Sequence, residues 1–184
     1  MSTATNKYNH YIVAIGASAG GLEAIHEFFD SMPETPYTSF ILIQHLSPDY
    51  KSLLVELVAR HTDMKVFEAA DLQEVERKCI YVIPNTKLIT IQKNKLRLAD
   101  KKNGKLPNNA VDVFLYSLAK ERKEKAIAVI LSGTGTDGTK GTEAIKKEGG
   151  LVIVQDPTTA KFDGMPNSVI AAGNADYVDR KSVV

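Results

Sequence analysis

A single cysteine, Cys79, excludes any disulfide within the chain. It lies beside an apolar segment, so it reads as a buried structural thiol, and a reducing, cytoplasmic setting fits a chain without cross-links. Long apolar runs are also missing. Stretches such as Ala126–Leu131 fall far short of the roughly 20 residues that a membrane-crossing helix needs. The first ten residues lack the apolar stretch of a signal peptide and are expected to be a disordered lead-in to one domain over residues 11–184. Charge of one sign is absent too. Lys and Arg total 23 against 22 Asp and Glu, a net charge of +1, which gives no basic field for nucleic acid. Four histidines and one cysteine stand at no ligand spacing, so neither a metal nor another cofactor is expected. The glycine-rich turns carry neither the dinucleotide spacing G-x-G-x-x-G nor a P-loop lysine.

What is present is an ordinary globular balance, 43% hydrophobic and 24% charged over 184 residues, enough for one domain with a core. Short apolar runs alternate with helical spacings. Strands are expected at Tyr11–Ile15, Phe40–Gln44, Cys79–Ile83, Ala126–Leu131 and Leu151–Gln155. Helices are expected from Leu22 to Met32, Ser52 to His61, Val111 to Leu118, Thr142 to Glu148 and around Ser168–Ala172. Alternation on either side of Lys93-Asn94 reads as a hairpin. The charged stretch Lys120–Lys125 reads as a solvated helix end. Continuous apolar strands alternating with helices imply an α/β fold: a doubly wound, mostly parallel sheet with helices on both faces and a small antiparallel hairpin.

Ligands in such a sheet bind beyond the carboxyl ends of the strands, and three polar residues fall there. Ser18, in Gly16-Ala17-Ser18-Ala19-Gly20-Gly21, lies between a strand and a helix. Its small neighbours permit a tight turn, and the backbone N–H groups after it stand at a helix N-terminus, where negative charge is stabilised. The same features would suit a helix cap or a phosphate-cradling loop. His45 directly follows Phe40–Gln44, and a neutral imidazole there can take a proton from a serine hydroxyl. The other histidines have other places: His10 in the lead-in, His26 beside the apolar face of a helix, His61 at a helix end. Two acids compete. Asp137 follows one strand within Ser132-Gly133-Thr134-Gly135-Thr136-Asp137-Gly138, and Asp156 follows another, before Pro157. Position alone does not choose between a carboxylate at Asp137 and one at Asp156.

Three blocks resemble the signature segments of the chemotaxis receptor methylesterase family, the CheB-type catalytic domain. They are Ile15-Gly16-Ala17-Ser18-Ala19-Gly20-Gly21, Gln44-His45-Leu46-Ser47-Pro48 and Leu131–Gly138, and Asp163-Gly164-Met165-Pro166 resembles a fourth. The resemblance runs in order from about Tyr11 to Val178. It implies a serine esterase with Ser18 as nucleophile, His45 as base and Asp137 as the acid, an order unlike that of ordinary α/β-hydrolases. It further implies an oxyanion and substrate pocket at Ala19, Gly20, Thr134 and Met165. The family hydrolyses glutamate methyl esters on the cytoplasmic helices of chemoreceptors, releasing methanol, and deamidates certain receptor glutamines. A catalytically weak binding module of a signalling protein is the alternative from another class. The family often has Met where Thr134 stands. Stand-alone members carry a receiver domain ahead of the catalytic one, which the ten residues before Tyr11 do not lead one to expect here. Details such as Gln44–Pro48 and Val154–Pro157 look closer to the version fused to a receptor methyltransferase, so a fused or associated methyltransferase and a larger parent protein are expected.

Overall fold

The structure is a computed structural model that describes residues 10–33, 37–44, 53–101 and 109–179. Nine strands and five α-helices occur among these residues: β1 Tyr11–Ala17, α1 Gly21–Asp30, β2 Thr38–Gln44, α2 Leu53–Ala59, β3 Lys65–Glu68, β4 Cys79–Val82, β5 Lys87–Gln92, β6 Lys95–Asp100, α3 Ala110–Arg122, β7 Ala126–Ile130, α4 Thr139–Lys147, β8 Leu151–Gln155, α5 Gly164–Ala171 and β9 Tyr177–Asp179. Seven strands form one parallel sheet in the order β3-β4-β2-β1-β7-β8-β9. The remaining two, β5 and β6, pair antiparallel. The expected α/β class and its hairpin are both present.

Strand residues alternate between two cores. Val13, Ile15, Phe40, Leu42, Ile80 and Val129 pack with Ala24, Ile25 and Phe29 of α1 and with Leu54 and Val58 of α2. Ile12, Ala14, Ile41, Ala128, Ile130 and Val152 pack on the other face with α3, α4, α5 and the hairpin. Burial on both faces is why these strands read as unbroken apolar runs. Cys79 is buried in this second core, and burial raises the pKa of its thiol.

Several details differ from the sequence reading. The edge strands β3 and β9 are largely exposed and left no apolar run to find. α5 starts at Gly164, ahead of Pro166, because the first turn of a helix lacks intrahelical acceptors for its N–H groups and tolerates a proline. His10, at the end of the expected lead-in, is buried with Nε2 3.2 Å from Ser39 Oγ, while residues 1–9 lie outside the described residues. The stretch Lys120–Lys125 is not uniformly a solvated helix end. Arg122 is buried and donates to Asn94 Oδ1, and Glu121 Oε1 accepts the Asn94 N–H at 2.7 Å. These bonds hold the hairpin turn, in which Lys93 and Asn94 both have positive φ (50° and 60°), against the end of α3. That is the conformation a two-residue turn of matching twist requires.

The strand order reverses at β1. From it the chain passes to β2 on one side and returns through β7 on the other, which makes the carboxyl end of β1 the topological switch point.

Candidate active site

Ser18 occupies that switch point, half-buried between β1 and α1. Its N–H donates to the Ser132 carbonyl at 3.0 Å, which ties the turn after β1 to the turn after β7. Its carbonyl accepts from the Gly21 N–H at 2.9 Å and from Gln44 Nε2 at 3.5 Å. Ala19 and Gly20 follow, half-buried, and Gly20 has φ +67° at the N-cap of α1. Among the described residues neither the Ala19 nor the Gly20 N–H has a hydrogen-bond acceptor. Two uncommitted N–H groups at a helix N-terminus suit a developing oxyanion.

Three loops meet here. The turn after β7 and the segment before α5 are laced together: the Gly133 N–H donates to the Phe162 carbonyl (3.0 Å), and the Met165 N–H donates to the Gly133 carbonyl (2.9 Å). Met165 is fully buried against the glycine. A Cβ on Gly133 would lie 2.3 Å from Met165 Sδ and 3.0 Å from the Ser18 Cβ. No residue but glycine fits that space without displacing the serine or the methionine. Thr134 is exposed at the rim, where Gly164 packs on the neighbouring backbone.

Asp137 stands at the far end of the same turn, half-buried. Its Oδ2 accepts the Val111 N–H at 3.0 Å and its Oδ1 the Asp112 N–H at 2.9 Å. Both donors belong to the first turn of α3, so Asp137 caps a helix remote in sequence, and the positive end of that helix favours its charge. Beneath it, Asp112 accepts the Gly141 N–H at 2.7 Å. Burial, and to a lesser degree the neighbouring Asp137, raises the Asp112 pKa, while backbone hydrogen bonds oppose the shift. Asp156 is occupied differently. It is buried, and its Oδ1 accepts both the N–H (2.8 Å) and the hydroxyl (2.7 Å) of Thr158, an Asx turn of the kind expected before Pro157.

His45 lies outside the described residues. The strand leading to it is described: Gln44, its last residue, pairs with Ala17, the residue before Ser18. Among the described residues no group of three or more metal-binding side chains occurs, and no helix is long and apolar enough to cross a membrane.

Three residues of this region were not singled out from the sequence. Ser132 is 1% exposed and bonds to three segments; Gln155 Oε1 accepts its N–H at 2.8 Å; Gln44 reaches the Ser18 carbonyl. Gln44 and Gln155 each end an otherwise apolar strand, and that placement was the available signal.

Comparison with known proteins gives these features a family. Residues 13–182 match the profile described as CheB methylesterase. A putative protein-glutamate methylesterase/protein-glutamine glutaminase of Leptospira interrogans is 31% identical over 92% of this chain and 89% of its own length. The protein-glutamate methylesterase/protein-glutamine glutaminase of Thermotoga maritima is 36% identical over 91% of this chain, which spans half of that relative. An uncharacterized 104.1 kDa protein of Rhodobacter capsulatus is 42% identical over 67% of this chain and 13% of its own length. The crystal structure of the Thermotoga maritima CheB methylesterase catalytic domain superposes with a TM-score of 0.82 at 34% identity, over 92% of both chains.

Proposed function

The chain belongs to the CheB methylesterase family, and from that premise we propose that it is a serine esterase that hydrolyses glutamate methyl esters on chemoreceptor helices. The observation that carries the reading is the meeting of three loops around Ser18 at the sheet's switch point, beside two N–H groups that have no acceptor among the described residues.

In the proposed reaction Ser18 Oγ attacks the ester carbonyl while His45 takes its proton. The Ala19 N–H, assisted by Gly20, stabilises the oxyanion. The tetrahedral adduct collapses to an acyl-enzyme, and methanol leaves with the proton that His45 returns. Water then attacks the acyl carbon with His45 again as base, releasing the glutamate carboxylate and restoring Ser18. Asp137 orients His45 and stabilises the imidazolium. The pairing of Gln44 with Ala17 supports the use of His45, because the two strands end side by side. The charge-stabilising position of Asp137 at the α3 N-terminus supports its role as an anion. Met165 and Thr134 would shape the pocket, the buried methionine against Gly133 and the threonine at the rim. A glutamine side chain would follow the same path with ammonia as the leaving group. A methyltransferase, fused or associated, is the proposed partner, supported by the wording of Gln44–Pro48 and Val154–Pro157. The proposed setting is the cytoplasm, where receptor helices are found and a lone buried thiol stays reduced.

Methanol release from a methylated receptor helix bundle tests the reading. Release by the wild type and none by Ser18→Ala is the expected result. No release from either, with a correctly methylated receptor, would reject it.

A further inference from the structure

We propose that Ser132 is a positioning residue that orients the oxyanion donors; the proposal rests on the esterase reading above. A trans peptide points its N–H opposite to its C=O, so fixing a carbonyl fixes the N–H of the next residue. The turn at Ser18 uses this at each of its peptide units. The Ser18 N–H is fixed by the Ser132 carbonyl at 3.0 Å. The Ser18 carbonyl is held by the Gly21 N–H (2.9 Å) and Gln44 Nε2 (3.5 Å), which sets the Ala19 N–H. The Ala19 carbonyl accepts the Ser132 hydroxyl proton at 2.8 Å, which sets the Gly20 N–H. The two N–H groups left without acceptors among the described residues are the two whose peptide planes are clamped.

Ser132 is itself immobilised. Its N–H donates to Gln155 Oε1 at 2.8 Å, and its Oγ accepts the Phe162 N–H at 3.0 Å. It is 1% exposed, so solvent does not stand in for the hydroxyl. Gly20 leaves room for this contact, since a Cβ there would lie 2.8 Å from Ser132 Oγ. One buried hydroxyl thus joins the nucleophile turn to the segment that carries Met165. Donors fixed before the reaction stabilise the oxyanion without reorganising, and their effect falls on the transition state rather than on substrate binding.

The test compares Ser132→Ala and Ser132→Thr with the wild type in methyl-ester hydrolysis, together with inhibition by a small boronic acid. Its adduct with Ser18 Oγ forms a B–O bond and carries the negative charge of the tetrahedral intermediate. Ser132→Ala is expected to lower kcat by about 10- to 100-fold with KM within about twofold. The boronate inhibition constant should rise by a factor close to the loss in kcat/KM, and Ser132→Thr should recover most of the activity. Melting temperatures measured alongside show that each variant is folded at the assay temperature. An active wild type with unchanged kcat in folded Ser132→Ala, or with boronate affinity unchanged while kcat falls, would overturn the proposal. An inactive wild type would instead reject the esterase reading.

Discussion

The two ends of the parallel sheet carry different groups. At the amino ends of β3 and β4, beneath the end of α1, lies a cavity of about 510 Å³ lined by Phe29, Met32, His61, Lys65, Arg77 and Lys78, among others. At the carboxyl ends, the turns after β1 and β7 and the segment before α5 are laced together beside Ser18, where a Cβ on Gly133 would meet both Met165 and Ser18. The amino end holds side chains of mixed charge. The carboxyl end holds clamped peptide planes, two N–H groups without acceptors among the described residues, and a carboxylate on a helix N-terminus. The proposed chemistry uses the second arrangement, because stabilising a transient oxyanion depends on fixed dipoles close by.

The contrast can be broken from either side. Ser18→Ala should lower kcat for methyl-ester hydrolysis by about 10⁶-fold, the scale seen when the nucleophile of a triad is removed. Asp137→Asn comes next, with a loss of about 10⁴-fold in kcat. Because it also weakens the remote cap of α3, chemical denaturation should show a loss of about 1 kcal/mol. Gly133→Ala, whose new Cβ would meet both Met165 and Ser18, should cost about 100-fold in kcat, the effect of shifting a reacting group by about an ångström. At the other end, Lys65→Ala should leave kcat and KM within about twofold. A large loss there would move the substrate site and contradict the division between the ends.

The smallest effect concerns stability. The His26 ring stacks on His61 with centroids 4.2 Å apart, and His61 Nδ1 lies 2.8 Å from Asp30 Oδ1. His26 Nε2 is buried without a hydrogen-bond partner among the described residues. Burial first, then the His61 charge, lowers the His26 pKa below 6.5, with Asp30 and Glu23 opposing. The unfolded chain therefore takes up the proton first as pH falls. The stability from neutral His26 is fully present above pH 6.5 and is lost as pH falls through the folded-state pKa. Thermal melts from pH 7.5 to 5.0 should show a shallower decline in His26→Gln than in the wild type. Parallel curves would remove His26 from the account.

Much of the fold is legible in the sequence because the central strands are buried on both faces. Ile12 to Ala17 and Ala126 to Ile130 are apolar without interruption, and each ends in a glycine-bearing turn. β3 and β9 were not legible because they sit at the sheet edges, where exposed residues such as Glu68 and Tyr177 give no apolar run. Ser18 was visible as the polar residue between a strand and a helix, and Asp137 as an acid after a strand. Position alone did not separate Asp137 from Asp156; the assignment of Asp137 as the acid comes from the family resemblance, and in the structure one carboxylate bonds the first turn of α3 while the other bonds its own turn. The importance of Ser132 was hidden because it depends on contacts with Ala19, 113 residues away in sequence, and with Phe162. Arg122 was misread for a similar reason: its partner, Asn94, lies on the hairpin.

Trapping the acyl-enzyme tests the central claim most directly. The protein is mixed with an activated carboxylic ester, quenched in acid and examined by peptide mass spectrometry. The account predicts an acyl group on Ser18, formed at a rate matching turnover and absent in Ser18→Ala. Acylation at another residue, or full turnover by Ser18→Ala, would contradict it.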